Sequence, residues 1–413
     1  MGALITAPQW VGVLVGFAVG GLAECWGVAN PESIIRLARW KDRLFIGCVT
    51  VVGAFGVLLL YGLYASGIGM HFGLKPLYFY GVGIGGVLFG IGLALSGYLP
   101  GTELMALGEG RREALFVIPA GLLGAASWTL LYQNAAGQWL VHQANLGSVL
   151  VDGRTIEGTP PFGLFLGAIP YALVLLLIAL LIPRFPRSKH VCLVAHIKGS
   201  HDEGNPALHD VREDTVAYLL EGSIAKRGGR AERVAYAWSS EPNIYSKVLV
   251  LVALLLAITV VLAMVLHQVF GESTTYSWLV GVLALPDFAY SKVALASVGW
   301  EPFSDIGTFL GAFFAAVLIS KRFTAFRSVI PPSWRNRFGN DQWRRALGLF
   351  AGGYLMLFGA RMADGCASGH ILSGIVQMAA SGIYFGVVVI VTSVIAARVI
   401  YGNASEQTNL RPV

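Results

Sequence analysis

The chain has 413 residues, 55% of them hydrophobic and only 13% charged, with 52 glycines and a mean hydropathy of +0.67. A soluble domain carries about a quarter charged residues, so this composition excludes a soluble enzyme, a secreted disulfide scaffold and a nucleic-acid-binding domain. In such a chain the net charge of +6 reports topology before it reports partners.

Apolar runs near the roughly 20 residues that a bilayer crossing needs predict an all-α polytopic membrane protein. Nine membrane helices are expected at about 9–27, 44–64, 80–97, 114–132, 162–183, 247–270, 304–320, 344–361 and 382–401. Between them, 28–36, 98–110, 278–286 and 364–381 are apolar or glycine-rich but too short to span. With the N-terminus outside, 25 of the 29 lysines and arginines fall in inner segments, leaving only Lys75, Arg154, Lys292 and Arg361 outside. That asymmetry is the positive-inside pattern, and it sets an N-out, C-in orientation. The N-terminus has neither a basic region nor an Ala-x-Ala exit, so the first helix is expected to remain.

The organisation is then a first transmembrane half (1–183), an inner linker (184–246) and a second half (247–413). Within the linker, His190, Cys192, His196, His201 and His209 offer two readings, a metal site or a solvated loop. Their spacing matches no zinc pattern with two close pairs, so no metal is expected. The four cysteines, Cys25, Cys48, Cys192 and Cys366, are too few and scattered for a disulfide framework. Neither a nucleotide-binding Gly-x-x-x-x-Gly-Lys-Ser/Thr nor a haem-attachment Cys-x-x-Cys-His occurs, so no cofactor is expected.

The halves contain related elements. Phe89-Gly90-x-Gly92-x-Ala94 precedes Gly97-Tyr98-Leu99-Pro100-Gly101-Thr102 in the first. Phe358-Gly359-x-Arg361-x-Ala363 precedes Gly365-Cys366-Ala367-Ser368-Gly369-His370 in the second. The predicted topology runs the two copies in opposite directions, the pattern of an inverted repeat whose broken helices line a path near the midplane. The alternative is that the glycines only let helices pack closely. That does not account for Arg361, Asp364, Cys366, Ser368 and His370 crowded into ten residues.

Gly359-Ala360-Arg361-Met362-Ala363-Asp364-Gly365-Cys366-Ala367-Ser368-Gly369-His370-Ile371-Leu372-Ser373-Gly374 resembles the signature of the YeeE/YedE family of sulfur-compound transporters. The stretch 90–101 resembles the corresponding first-half element, and 16–43 the opening element. The resemblance implies about nine long helices plus short re-entrant ones in inverted repeats. It also implies transport of thiosulfate or a related small sulfur anion along a path with cysteines. The chain departs from the family pattern at Gly97-Tyr98-Leu99-Pro100-Gly101, where members usually carry a cysteine. Only Cys25 and Cys366 remain as path cysteines, so a three-thiol relay does not carry over intact.

Cys366, flanked by Gly365 and by Ser368-Gly369, stands where a half-helix begins. There a thiol would meet backbone N–H groups and offer a weak donor to a sulfur anion; the other reading is a small buried hydrophobe. Cys25, beside Glu24, divides between the same two readings, and Cys48 reads as core. A membrane-embedded Arg361 costs at least ~2.5 kcal/mol on insertion scales and so needs a partner or a cavity. Pairing with Asp364 three residues on and direct contact with an anion both satisfy that need. His370 either contacts substrate, carries a proton, or bonds to backbone. Tyr98, Thr102 and Glu103 are the first-half counterparts, a glutamate being repulsive beside an anion path unless protonated or paired. The function expected is an inner-membrane permease importing a thiosulfate-like anion, with a cytoplasmic sulfur carrier or sulfurtransferase as onward partner. The alternative is a docking subunit that passes sulfur or electrons to a soluble partner without bulk transport.

Overall fold

The computed structural model describes residues 4–182 and 247–402, apart from Asp42, Lys321, Thr324 and Val329. The histidine-bearing linker 184–246, with Cys192, lies outside the described residues. In chain order the helices are α1 (Gly12–Trp26), α2 (Pro31–Ala38), α3 (Leu44–Ala65), α4 (Phe79–Ser96), α5 (Thr102–Gly108), α6 (Ala114–Tyr132), α7 (Ala135–His142) and α8 (Pro161–Leu181). After the linker come α9 (Lys247–Leu266), α10 (Thr274–Leu283), α11 (Ala289–Ser297), α12 (Glu301–Leu318), α13 (Pro332–Phe338), α14 (Gln342–Met362), α15 (Ala367–Val376) and α16 (Ala380–Tyr401). No strand occurs among the described residues.

Each of the nine long apolar segments is a helix. Six are long and apolar enough to cross a bilayer, and α14 with α15 makes a seventh, bent by 59° at its break; two shorter apolar helices, Gln9–Cys25 and Val250–Leu266, complete the set. Outward faces are rich in exposed leucine, valine and phenylalanine, for example Leu177, Leu180, Val391 and Val399. A surface that apolar belongs against lipid.

The short segments fall between the long ones in a regular order. Long, short and long helices recur four times, as α1-α2-α3, α4-α5-α6, α9-α10-α12 and α14-α15-α16. Their contacts pair off as an approximate two-fold axis requires. Helix α1 packs on α12 as α9 packs on α3; α4 packs on α16 as α14 packs on α6; and α4 packs on α14. Direction is legible in the glycine contacts. A Cβ on Gly359 would lie 2.8 Å from the Phe89 nitrogen, and one on Gly352 would lie 2.8 Å from the Gly92 carbonyl. As numbers rise along α4 they fall along α14, so the central pair is antiparallel and the repeats are inverted.

This close approach is dispersion between backbones, which a bilayer allows only where side chains are absent. The sequence therefore reads correctly both ways here: the glycines pack helices and also flank a break. Replacing Gly359 by leucine should wedge α4 from α14, at a cost of at least ~1–3 kcal/mol for overpacking. The expected outcome is a clear fall in melting temperature in detergent, while leucine at Gly163, where an added Cβ would meet nothing closer than 3.5 Å, should be far milder.

Candidate functional site

The short helices begin at chain breaks, and residues beside those breaks wall two cavities. One, about 310 Å³ and termed outer after the orientation expected from the sequence, lies under the α3–α4 and α9–α10 connections. It is lined by Lys75, His71 and His267 against a single acid, Glu301. The inner one is narrow, about 70 Å³, and mostly apolar, with Val19, Val49, Met105 and Leu256 on its wall and Thr102, Glu272 and Ser368 as polar members.

Two stretches of chain separate the cavities, one residue thick. Gly271 and Ser273 face the outer cavity while Glu272 between them faces the inner one. Likewise Cys366 and Gly369 line the outer cavity, and Ser368 the inner. Cys366 is buried, in extended backbone just ahead of the π-helical turn that opens α15. Its Sγ lies 3.0 Å from the Ser368 Oγ, and Ser368 also pairs with the Glu272 carboxyl. The thiol and hydroxyl thus join the two cavity walls in one hydrogen-bonded unit.

Arg361 closes α14 and is buried. Its Nε and Nη2 donate to the Tyr290 hydroxyl at 3.0 and 2.7 Å, and its Nη1 to Ser273 Oγ at 3.0 Å and Thr274 Oγ1 at 3.4 Å. Hydrogen bonds to a charged group contribute about 1.5–3 kcal/mol each, enough together to offset the burial cost of one arginine. With those donors engaged and no share in either cavity wall, Arg361 ties α14 to the start of α10. Asp364 adopts a left-handed conformation, φ +61°, and lies 3.8 Å from Arg361 and 3.6 Å from Lys75. Lys75 thereby reaches the rim beside Gly365 and Gly369, whose missing side chains leave room for it.

His370 is fully buried, stacked on Phe385, and donates from Nε2 to the Ala363 carbonyl at 2.8 Å. Of its three readings, the geometry matches the backbone bond, which closes the break between α14 and α15. In the first half, Gly97 ends α4 at φ +73°, and Thr102 accepts from the Leu99 N–H at 2.7 Å. Pro100 and Thr102 line the inner cavity. Tyr98 points away, donating to Glu113 at 2.6 Å. Gly101, at φ +89°, lies directly against the Glu272 carboxyl. Glu103 is paired, accepting from the Tyr276 hydroxyl.

The structure therefore brings Cys366, Gly365, Ser368, Gly369, Pro100 and Thr102 to the cavities, with Gly101 beside them against the Glu272 carboxyl. It sets Arg361, His370 and Tyr98 behind them as supports. Cys25, half-buried near the end of α1, is on neither wall, and Cys48 is core. Sequence reasoning missed Lys75, Phe270, Glu272 and Ser273. Gly271-Glu272 stands just ahead of its short helix as Gly365-Cys366 does ahead of α15, and that similar placement was the available signal.

Broken helices in inverted repeats, meeting at a thin partition between two cavities, define a membrane transporter. A model of the Sulphur transport family matches residues 214–395. A curated relative, the thiosulfate transporter TsuA of Spirochaeta thermophila, is 24% identical over 380 residues, covering 90% of this chain and 93% of its own. Over that stretch the chain is similar to the sulphur-transport family.

Arg361→Lys keeps the charge but not the fork. It should lower stability by roughly 2 kcal/mol, the worth of one or two charge-assisted bonds, read as a lower melting temperature. Lys75→Met, at a half-exposed pair, should change it little.

Proposed function

We propose that the protein is a permease that imports thiosulfate or a closely similar small sulfur anion across the bacterial inner membrane. The observation that carries this is the Cys366–Ser368 pair, with its thiol on the outer cavity and its hydroxyl on the inner one. The family and the relative's substrate support the choice of a sulfur anion.

An anion enters the outer cavity, where Lys75, held by Asp364, is the one lysine on the wall among the described residues. It then meets the thiol. An S–H group is a weak donor, and its soft sulfur suits the terminal sulfur of thiosulfate. Weak contact matters because conduction requires a site the ion leaves as readily as it enters. Beyond Ser368 the narrow inner cavity, with few polar groups, holds the anion loosely. No bond to sulfur forms or breaks in this reading, and the protein acts as a transporter rather than an enzyme. A cytoplasmic sulfur carrier or sulfurtransferase as onward partner rests on the sequence alone. So does the division into halves 1–183 and 247–413 about the linker.

Uptake of labelled thiosulfate into proteoliposomes tests the proposal. Cys366→Ala should insert normally and lose most uptake, on the order of tenfold, the loss of one hydrogen bond of about 1.4 kcal/mol. Cys366→Ser, which keeps a donor, should fall less for a hard oxyanion than for thiosulfate. Uptake by Cys366→Ala at the wild-type rate would reduce the thiol to packing.

The orientation proposed is N-terminus outside and C-terminus cytoplasmic, supported by the lysine and arginine distribution. Helices α1 and α12 run parallel, Gly16 meeting Ser304 and Gly20 meeting Thr308, as spans one and seven of that scheme must. A single cysteine at Arg154 should react with an impermeant maleimide from outside only, and one in 184–246 only from the cytoplasmic side. Labelling of both from one side would refute the orientation.

A further inference from the structure

Glu272 is used by nothing described so far, yet its carboxyl lies at the narrowest part of the partition. It is buried and on the inner cavity's wall, and its Oε1 has no hydrogen-bond partner among the described residues. The carboxyl fills the space left by the absent side chain of Gly101, so it bridges the α4–α5 break to the α9–α10 break. Ser368, on the third broken segment, pairs with it. Three of the four broken units thus meet at this one side chain.

The titratable groups facing Glu272 are Glu103 from α5, Glu301 and Asp305 from α12, and the Cys366 thiol ahead of α15. The Tyr276 hydroxyl of α10 is taken by Glu103, and the N–H groups of Thr274 and Thr275 by Glu301. Lys75 and Arg361 act on Glu301, and no lysine or arginine lies within ion-pair distance of Glu272 among the described residues. An ionised Glu272 would therefore sit unpaired, among acids, at membrane depth, and would repel any anion reaching Ser368.

We propose that Glu272 is the gate of the path and lets the anion past only while its carboxyl carries a proton, so that anion and proton are imported together. The inference rests on the permease reading. A proton from the outer cavity, where Glu301 is its acidic member, neutralises Glu272; the anion passes Cys366 and Ser368; the proton then leaves to the inner side, restoring the carboxylate and its barrier. One proton enters per gating cycle, and no oxidation or reduction is involved.

The test uses the full-length protein in proteoliposomes with the membrane potential clamped. For coupling of one proton to one anion, an inward gradient of one pH unit should raise steady-state thiosulfate accumulation about tenfold, since one unit is a tenfold proton ratio. Thiosulfate addition should acidify the lumen. Glu272→Gln keeps the size and a permanently neutral group, so it should still equilibrate thiosulfate down its own gradient while losing both the stimulation and the proton movement. Glu272→Asp, still titratable, should keep part of each. Wild-type uptake at equal pH that ignores the gradient, or a Glu272→Gln variant still driven by it, overturns the gate. Absence of wild-type uptake under any gradient instead overturns the permease reading, and the gate with it.

Discussion

Backbone polar groups at membrane depth have no water to bond, so a broken helix survives only if its loose N–H and C=O groups are met from within. Each of the four breaks is closed by its own side chains. Asn30 accepts the Glu32 N–H at 3.0 Å ahead of α2. Ser96 and Thr102 accept those of Tyr98 and Leu99, at 3.1 and 2.7 Å, ahead of α5. Glu301 accepts those of Thr274 and Thr275 at the start of α10, and Ser373 donates to the Phe270 carbonyl at 2.7 Å. His370 donates to Ala363 ahead of α15. The proposed path runs through the space these bonds hold open, and they keep the partition one residue thick without collapsing.

The same bonds decide which polar residues are free to serve the anion. Arg361 and His370 are the most conspicuous candidates in the sequence, and both are occupied in holding a break. A fully exposed arginine on the path would bind a dianion too well to release it. Engaging its donors with Tyr290, Ser273 and Thr274 leaves its charge as a background field, partly balanced by Asp364. In the proposed path the direct contacts fall to weaker partners, a thiol and a hydroxyl, with one lysine at the rim.

Legibility in the sequence followed the kind of signal. The nine long helices were read from hydrophobic length, and inversion of the repeats from the even number of crossings, four, between two glycine motifs. Antiparallel packing of α4 on α14 agrees with it. The break at 363–366 was legible because polar residues crowd an apolar stretch. The break at 267–273 was not, because a single glutamate beside Ser-Thr-Thr resembles an ordinary loop between helices. Its meaning lies in what Gly101 leaves vacant about 170 positions earlier, a relation no local pattern carries. The side-chain roles of Arg361 and Tyr98 were likewise open, since burial alone does not say which way a side chain turns. Only the partners Tyr290 and Glu113 settle it.

The missing first-half cysteine takes a different meaning in this light. Gly97-Tyr98-Leu99-Pro100-Gly101 cannot present a thiol, but it presents a glycine whose bare Cα seats the Glu272 carboxyl. Any larger side chain at Gly101 would occupy that seat, and its φ of +89° would strain such a residue as well. Where a second thiol would have touched the anion, this chain instead shapes a niche for a carboxyl. A thiol in series adds another weak contact along the route. A carboxyl in the same place adds a barrier whose height depends on one proton. The two solutions are hard to combine at one point, because an ionised carboxylate beside a thiol would disfavour the anion that the thiol is there to meet. Cys366 opens to the outer cavity but still faces that acid, so on the proposed gate its thiol meets the anion only while Glu272 carries the proton.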